Sequence, residues 1–413
     1  MRKYILQLLL LALLTASACF ISSAQNQNTE TVLVLVHANL IDGVSPEVLT
    51  EATVVVRGGR IESVGVGKNA AMPPAGSQVV DVKGCWLLPG FVDAHAHFND
   101  LAAARRALQY GTTTARLLGV DHFADVSMRE LHNNGLTDIP AVLAAGYQIA
   151  PKMGTDFPPF LLDFPNLYRL VSGLHGTDDV RAVVRAMASR HVDLIKFIAT
   201  ERAGTPDTDP RKRTFSDEEM SAIVDEARKA GLNVAAHAHG DEGARGAVLA
   251  GVHSIEHGTF LSDDTLALMK ARGVHLVPTI STWGELEDNP ILHQRSRAMQ
   301  PRARDTAGRA WKMGVKVVAG TDSGYEATGL GLRMQDEIAE LVRSGMPPMD
   351  AIKAGTSLSA ECLGIEKRTG TIKPGMTADF VAVDSDPIAN IVALQDLVLI
   401  IHDGKVIVNH LNP

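Results

Sequence analysis

The sequence predicts an α/β fold, a distorted (β/α)8 barrel joined to a small composite β-sandwich. Eight near-continuous apolar runs alternate with segments of helical periodicity between residues 89 and 367, as expected for a closed parallel barrel. Shorter β-type runs separated by turn signals occupy both ends of the chain, at residues 31–88 and 368–410. No Gly-rich phosphate loop follows the first run, which disfavours a doubly wound open sheet.

The first 24 residues are predicted to be a secretory signal peptide. Arg2 and Lys3 precede an apolar run at residues 4–14, and small residues that suit a signal peptidase end at Ala24. The run is about half of the roughly 20 apolar residues that a spanning helix needs, so we expect no stable membrane span after cleavage. The protein is therefore expected to be exported, either periplasmic or secreted, with a lipoprotein anchored at Cys19 as the alternative.

The two ends of the mature chain are predicted to pair into one sandwich, because neither short all-β segment can bury a core alone. The N-terminal runs lie at residues 32–36, 53–56 and 61–64. The C-terminal runs lie at residues 379–383 and 397–401, and a hairpin is expected around Asp403-Gly404.

The central segment, residues 89–367, is predicted to form the barrel. Its strands are expected at residues 90–97, 112–118, 140–145, 192–199, 233–239, 254–257, 274–278 and 315–321. Helices are clearest at residues 178–190, 217–230, 262–272 and 334–344. Ser216 and Glu219 have the spacing of a capping box at the start of one of these helices.

The composition narrows the classes of function. A net charge of −8 and 5% aromatic residues give no basic or base-stacking surface, so we expect no nucleic-acid partner. The chain has 15 His but only 3 Cys, which favours metal sites built from imidazole and carboxylate over a disulfide framework. Cys85 and Cys362 could pair in an oxidising compartment, and their spacing does not decide whether they do.

Six polar side chains interrupt the apolar runs at or near the C-terminal ends of predicted strands, where the active sites of parallel barrels lie. They are His95, His97, Lys196, His237, His257 and Asp322. His95 and His97 are two residues apart, so both imidazoles face the same side of their strand and could chelate a divalent metal.

Each of these residues also has a structural interpretation. Asp322 could cap a turn or a helix rather than act in chemistry. A single His in an apolar strand is usually a core residue with its hydrogen bonds made, and we interpret His37, His191 and His275 in this way.

Two stretches resemble the amidohydrolase superfamily. Pro89-Gly90-Phe91-Val92-Asp93-Ala94-His95-Ala96-His97 resembles its opening metal motif, and residues 370–381 resemble its closing signature. Residues 193–196, 237–240, 254–258 and 320–323 resemble the imidazolonepropionase-like branch. The most similar subgroup of that branch contains Xaa-Pro dipeptidases with two zinc ions and a carboxylated lysine.

The resemblance implies a role for each residue. His95 and His97 would bind the more buried metal together with Asp322, and His237 and His257 would bind the second. Lys196 would bridge two divalent metal ions, expected to be Zn²⁺, as an N6-carboxylated side chain. A hydroxide held between the metals would attack the substrate carbonyl, Asp322 would transfer the proton, and His257 could stabilise the oxyanion.

The expected function is hydrolysis of a C–N amide bond in a small molecule, such as a dipeptide of the Xaa-Pro or another type, or an N-acyl amino acid. Tyr147, in a long third loop that could be a lid or a pocket wall, and His239 are the expected substrate contacts. A cyclic amide or lactone hydrolase is the first alternative, and a non-catalytic binding barrel is the second. We also expect a homo-oligomer.

Overall fold

The computed structural model describes residues 32–70, 72–285, 289, 291–325 and 333–411. The predicted signal peptide and Cys19 lie outside the described residues. Within these ranges, no helix is both long enough and apolar enough to cross a membrane.

Strands from both ends of the chain share one eight-stranded sheet. They are β1 (Val32–Leu40), β2 (Leu49–Arg57), β3 (Arg60–Val66), β4 (Gln78–Asp81), β5 (Trp86–Pro89), β13 (Phe380–Val383), β14 (Leu397–His402) and β15 (Lys405–Asn409). The order is β15-β14-β13-β5-β1-β2-β3, with β4 paired to β1. Antiparallel pairing of Leu88 with Val381 joins the two ends. Leu35 and Val54 from one end and Phe380 and Ile401 from the other are buried in a single apolar cluster.

The central segment forms the predicted barrel. Its strands are β6 (Phe91–Ala96), β7 (Thr112–Leu117), β8 (Ala141–Ala144), β9 (Leu194–Ile198), β10 (Asn233–Ala238), β11 (Ser254–His257) and β12 (His275–Val277). They form two parallel sheets, β6-β7-β8 and β12-β11-β10-β9. A parallel bridge between Ile149 and Phe197 links the sheets, so the chain just beyond β8 continues the ring.

The eighth strand of the barrel is reduced to isolated bridges. Val317 pairs with Leu276 on β12, and Ser323 pairs with Ala96 on β6. The prediction of a strand at residues 315–321 is therefore correct in position, but this segment makes too few consecutive hydrogen bonds to form a regular strand. Isolated bridges connect these segments around the ring without forming a continuous hydrogen-bonded sheet, and the predicted fold class is confirmed.

Helices follow the strands around the barrel. They are α1 (Leu101–Gln109), α2 (Ala124–Asn133), α3 (Met153–Asp156), α4 (Pro158–Asp163), α5 (Thr177–Ala188), α6 (Asp217–Lys229), α7 (Asp241–Ala250), α8 (Asp263–Arg272), α9 (Thr282–Glu285), α10 (His293–Met313), α11 (Met334–Arg343), α12 (Pro348–Ala354) and α13 (Ser357–Cys362). The capping box of Ser216 and Glu219 is present at the start of α6. Cys85 and Cys362 are both free thiols, so the disulfide that the sequence left open does not form.

Candidate metal centre

Parallel strands bring the predicted site residues to one end of the barrel. His95 lies near the end of β6, Lys196 on β9, His237 on β10 and His257 at the end of β11. A cavity of about 220 Å³ opens at this end. Its lining is His95, His97, Gln148, Lys196, Arg202, Ala203, Gly204, Thr205, His237, His239, His257, Thr279, Thr282, Trp283 and Asp322. All six residues singled out at strand ends, and His239, therefore share one cavity.

One group of ligand atoms is compact. The Nε2 atoms of His95 and His97 lie 3.1 Å apart. The Oδ1 atom of Asp322 lies 3.3 Å from the first and 3.1 Å from the second. Ligands at 2.0–2.2 Å from a tetrahedral zinc ion are about 3.4 Å apart, so the three atoms have the spacing of ligands to one cation.

Hydrogen bonds on the far side of the imidazoles set which nitrogen faces the cavity. His97 Nδ1 donates to the carbonyl of Gly119 at 3.1 Å, and His95 Nδ1 donates to the Glu256 carboxylate at 2.9 Å. These bonds place the ring proton on Nδ1 and leave a lone pair on Nε2, which is the form that binds metals. His257 Nδ1 is similarly hydrogen-bonded to Thr279 Oγ1 at 2.7 Å.

A second group consists of His237, His239 and His257, whose ligand atoms lie within 4.8 Å of one another. His237 Nε2 is buried and has no hydrogen-bond partner in the described part of the protein. An unpaired buried nitrogen costs about 1–3 kcal/mol, which a bound cation would offset. His239, which was expected to contact the substrate, belongs to this group together with His237, so either of the two could be the ligand beside His257.

Burial keeps these imidazoles neutral. It lowers the pKa of His237 and of His257 well below the usual value, and it lowers the pKa of His239 to about 3. Although burial opposes ionisation of Asp322, contacts with His95 and His97 hold the pKa of this carboxyl well below its usual range. Neutral imidazoles beside a carboxylate are the donor set that a divalent cation of the zinc type requires, so the residues fit such an ion.

Burial of Lys196 in an apolar strand makes its amine more reactive. Its side chain lies on β9, is only 1% exposed and lines the cavity. Burial lowers the pKa of Lys196 to about 8, so about a tenth of its amine is neutral at pH 7, far more than for an ordinary lysine. A neutral amine is the form that can react with carbon dioxide.

Two buried carboxylates, those of Asp93 and Glu256, were not predicted as site residues. Asp93 accepts hydrogen bonds from the backbone N–H and the hydroxyl of Thr321, at 3.0 and 2.7 Å, and from the Tyr325 hydroxyl. Because Thr321 immediately precedes Asp322, Asp93 ties the eighth segment to β6 at the cavity. The sequence signal was present, since Asp93 and Glu256 are charged residues within otherwise apolar strands.

The backbone is strained where these side chains are presented. His257, Thr279 and Asp322 have φ values of 73°, 48° and 57°, in the left-handed region that residues other than glycine seldom adopt. Such residues cost of order 1–3 kcal/mol each and are typical of functional sites.

Tyr147 is not where the sequence suggested. It is buried against Phe123, Phe157 and Phe160, and its hydroxyl donates to Asp163 at 2.6 Å. It does not line the cavity, so the structure does not bring this expected substrate contact together with the other site residues; Phe157 and Phe160 of the third loop pack around its ring instead.

Arg202 and Trp283 line the cavity, although neither was predicted to do so. Arg202 is one residue from the turn at Ala203 and Gly204, and its guanidinium lies over the Phe157 ring at 5.1 Å. Arg295, on α10, holds this turn by donating to the carbonyls of Ala203 and Thr205 at 2.8 and 2.9 Å. Arg295 therefore fixes the turn that borders the cavity.

The three histidines that were interpreted as core residues with their hydrogen bonds made do not fit that interpretation. His37 and His191 are exposed. His275 is buried, yet both of its ring nitrogens are without a hydrogen-bond partner among the described residues.

Comparisons with known proteins agree with this geometry. A profile described as "Amidohydrolase family" matches residues 86–407. A solved Xaa-Pro dipeptidase with bound methionine in its active site superimposes with a TM-score of 0.81 and 30% identity, over 91% of this chain and 99% of that one.

Two curated relatives extend the comparison. The ochratoxinase of Aspergillus niger is 31% identical over 238 residues, which is 56% of this chain and 48% of the relative, so the match spans about half of that protein. The imidazolonepropionase of Deinococcus deserti is 26% identical over 369 residues, 82% of this chain and 86% of the relative.

Proposed function

Since the chain belongs to the amidohydrolase family, we propose that it is a metal-dependent hydrolase that cleaves the C–N amide bond of a small substrate bearing a carboxylate, either a dipeptide or an N-acyl amino acid. The observation that carries the proposal is the convergence of five imidazoles, one lysine and one carboxylate on a single cavity. Similarity to a Xaa-Pro dipeptidase supports the choice of amide.

Two groups of residues would hold the cations. His95, His97 and Asp322 would hold one cation, and His237 and His257 would hold the other, with His239 as the alternative to His237. A ligand atom of His257 also lies within 4.8 Å of those of His95 and Asp322, so the two groups adjoin. We propose zinc as the ion and N6-carboxylated Lys196 as the bridge, because carboxylation replaces a buried cation by an anion that two dications can neutralise. When bound, such ions supply an activated water molecule and polarise the carbonyl.

Asp322 would move the proton. Its carboxylate faces the cavity and is ionised at neutral pH, so it can accept a proton from the attacking water and return it to the leaving amine. Because its backbone N–H donates to the carbonyl of His95 at 2.7 Å, the carboxylate is held close to the imidazoles of β6. Trp283 and the turn before Thr205 would exclude bulk water from this point.

Arg202 supports a substrate that carries a carboxylate. Its contacts are a 3.4 Å hydrogen bond to Gln148 and the Phe157 ring, and no carboxylate among the described residues lies within salt-bridge distance. Burial lowers the pKa of Arg202, which means that its charge is incompletely solvated. A substrate carboxylate placed against the guanidinium would form a strong charge-assisted pair.

The test compares each substrate with its uncharged analogue. Dipeptides and N-acyl amino acids should be cleaved by metal-loaded protein, and their C-terminal carboxamides should be cleaved at least tenfold less efficiently. Arg202→Gln should lower kcat/KM for the carboxylates by about 10–100-fold, the value of one lost charged hydrogen bond, and should change carboxamide cleavage little.

Arg302→Gln is the matched control, since Arg302 is exposed on α10 and lies over Phe260 outside the cavity. Equal cleavage of carboxylates and carboxamides would overturn the carboxylate specificity. Absence of amide cleavage across the whole panel, with metals bound, would overturn the proposed function.

Similarity to imidazolonepropionase supports a second candidate, hydrolysis of a cyclic amide, and the same panel should therefore include cyclic amides and lactones. Export and homo-oligomer formation stay predictions. Sequencing of the mature N-terminus and measurement of the mass in solution test them.

A further inference from the structure

A second cluster of metal-binding side chains lies at the other end of the barrel. His253 immediately precedes β11, His275 is the first residue of β12, and Cys362 is the last residue of α13. One ligand atom from each lies within 4.8 Å of the others. Because His253 and His257 are four residues apart on a parallel strand, this cluster is about 13 Å from the proposed hydrolytic centre.

The main evidence for a bound ligand in this cluster comes from the ring nitrogens of His275. It is 3% exposed, and neither Nδ1 nor Nε2 has a hydrogen-bond partner among the described residues. A neutral imidazole has one donor and one acceptor, so both polar functions of this ring are buried unpaired. Native proteins seldom leave such groups without a partner, an ion or a water molecule.

The neighbours of His275 favour an ion. Its ring lies 5.2 Å from the ring of His253, and the Cys362 thiol is buried and free. Two imidazoles and a thiol are the donors that zinc-type ions prefer. Glu361 beside the cluster is neutralised by its ion pair with Lys316, so the Cys362 thiolate would supply the negative charge that balances a dication.

We propose that His253, His275 and Cys362 form a structural site for one divalent cation of the zinc class, separate from the hydrolytic centre. Ligands of such an ion are about 3.3–3.8 Å apart, so side-chain rotations that close the cluster by about 1 Å would bring the three protein donors to one ion, whose fourth position a water molecule would take. On binding, the S–H bond of Cys362 breaks, its proton passes to solvent and the thiolate coordinates the cation. The ion would join β11 and β12 to α13, the helix that precedes the C-terminal strands of the eight-stranded sheet.

His253 already makes one contact that shapes this site. One of its ring nitrogens, Nε2, is hydrogen-bonded to the carbonyl of Cys362 at 2.9 Å, which leaves Nδ1 as its free donor atom. The same bond holds the imidazole next to the end of α13. Two of the three donors are therefore positioned relative to each other before any ion binds.

Cobalt(II) is a suitable probe, because thiolate coordination gives it a ligand-to-metal charge-transfer band in the near ultraviolet. Among the described residues, no sulfur-bearing side chain lines the 220 Å³ cavity, so cobalt bound by the lining of the hydrolytic centre should not produce this band. Fully loaded protein should show the band, and its cobalt content should exceed that of Cys362→Ser by one equivalent. Zinc should displace the ion and abolish the band.

Variants distinguish this site from other thiols. Cys362→Ser should lack the band and keep hydrolysis within about twofold of the wild type, whereas Cys85→Ser should retain the band. His275→Asn should weaken cobalt binding at this site by at least tenfold while the thiol remains present. Fully loaded wild-type protein without a thiolate band, or a band that persists in Cys362→Ser, would overturn the proposal whether or not the proposed hydrolysis is correct.

Discussion

Replacing Glu256 by Gln removes one negative charge from the network behind the metal ligand His95. The Glu256 carboxylate accepts from His95 Nδ1 at 2.9 Å and from Arg116 at 2.9 Å. It is fully buried, and Arg116 is 3% exposed. Although burial opposes its ionisation, Arg116 and His95 lower the pKa of Glu256 to about 2, so the charge is present at every working pH.

Two effects of Glu256→Gln follow from this geometry. Arg116 keeps bonds to the Ala94 carbonyl and to Ser254 but loses its counter-ion, and breaking a buried ion pair in this way costs about 3–5 kcal/mol. His95 loses the carboxylate that fixes its tautomer and raises its basicity, and loss of such a partner weakens metal binding about 10–100-fold. The apo variant should therefore have a lower free energy of unfolding, and the folded variant should in addition bind metal more weakly than the wild type.

The assays separate the two effects. Chemical unfolding of apo protein measures the loss of stability, and competition with a chromophoric chelator measures metal affinity under conditions where both proteins are folded. Glu226→Gln is the matched control, because Glu226 also accepts from arginines but lies on α6 and does not belong to the lining of the cavity. If Glu256→Gln binds metal as tightly as the wild type and unfolds with the same free energy, the role assigned to this carboxylate is wrong.

Three further predictions concern other groups. Asp322→Asn should stay folded and lose about 10²–10⁴-fold in turnover with both metals bound, which steady-state kinetics and metal analysis check together; near-normal turnover would exclude Asp322 as the base. Hydrogen bonds, the largest from Arg185, lower the pKa of Glu226 to about 2, so its contribution is present above the unfolded pKa near 4.5 and is lost as pH falls from about 4.5 to 2. Glu226→Gln should thus destabilise by about 1 kcal/mol at pH 7 and by progressively less in acid unfolding curves, and a pH-independent difference would contradict this. Glu337 accepts hydrogen bonds from the backbone N–H groups of residues 280 and 281, and Glu337→Gln should leave one of these groups unpaired. The variant should lose about 1–3 kcal/mol of unfolding free energy and have a higher KM, because the loop that carries Trp283 is held less firmly. Unchanged unfolding free energy and unchanged KM would show that Glu337 does not hold this loop.

The sequence was sufficient to predict the barrel and the six strand-end side chains that meet in its cavity. Each parallel strand places its C-terminal end at the same edge of the barrel, so polar residues that end separate apolar runs must converge. This reasoning placed His95, Lys196, His237 and His257 from their positions alone. It also placed Asp322, although the eighth segment pairs only through isolated bridges.

What the sequence did not predict depends on contacts between distant residues. Glu256 is 161 residues from His95 along the chain, and no spacing rule connects them. Tyr147 was expected at the substrate because it lies in a long loop, but its ring packs among phenylalanines that periodicity could not place. Arg202 reaches the cavity because Arg295, about 90 residues later, holds the turn beside it.

The central claim is that the strand-end side chains hold two metal ions that hydrolysis requires. Its most direct test is metal analysis of the Cys362→Ser variant, which lacks the separate thiol site. The variant is stripped of metal and then reconstituted with zinc and bicarbonate. The account predicts no amide hydrolysis without metal, activity that rises with metal content to about two equivalents per chain, and a carbamate carbon signal in the NMR spectrum of native protein reconstituted with carbon-13-labelled bicarbonate. Full activity in the stripped protein, or saturation at one equivalent with Lys196 unmodified, would contradict it.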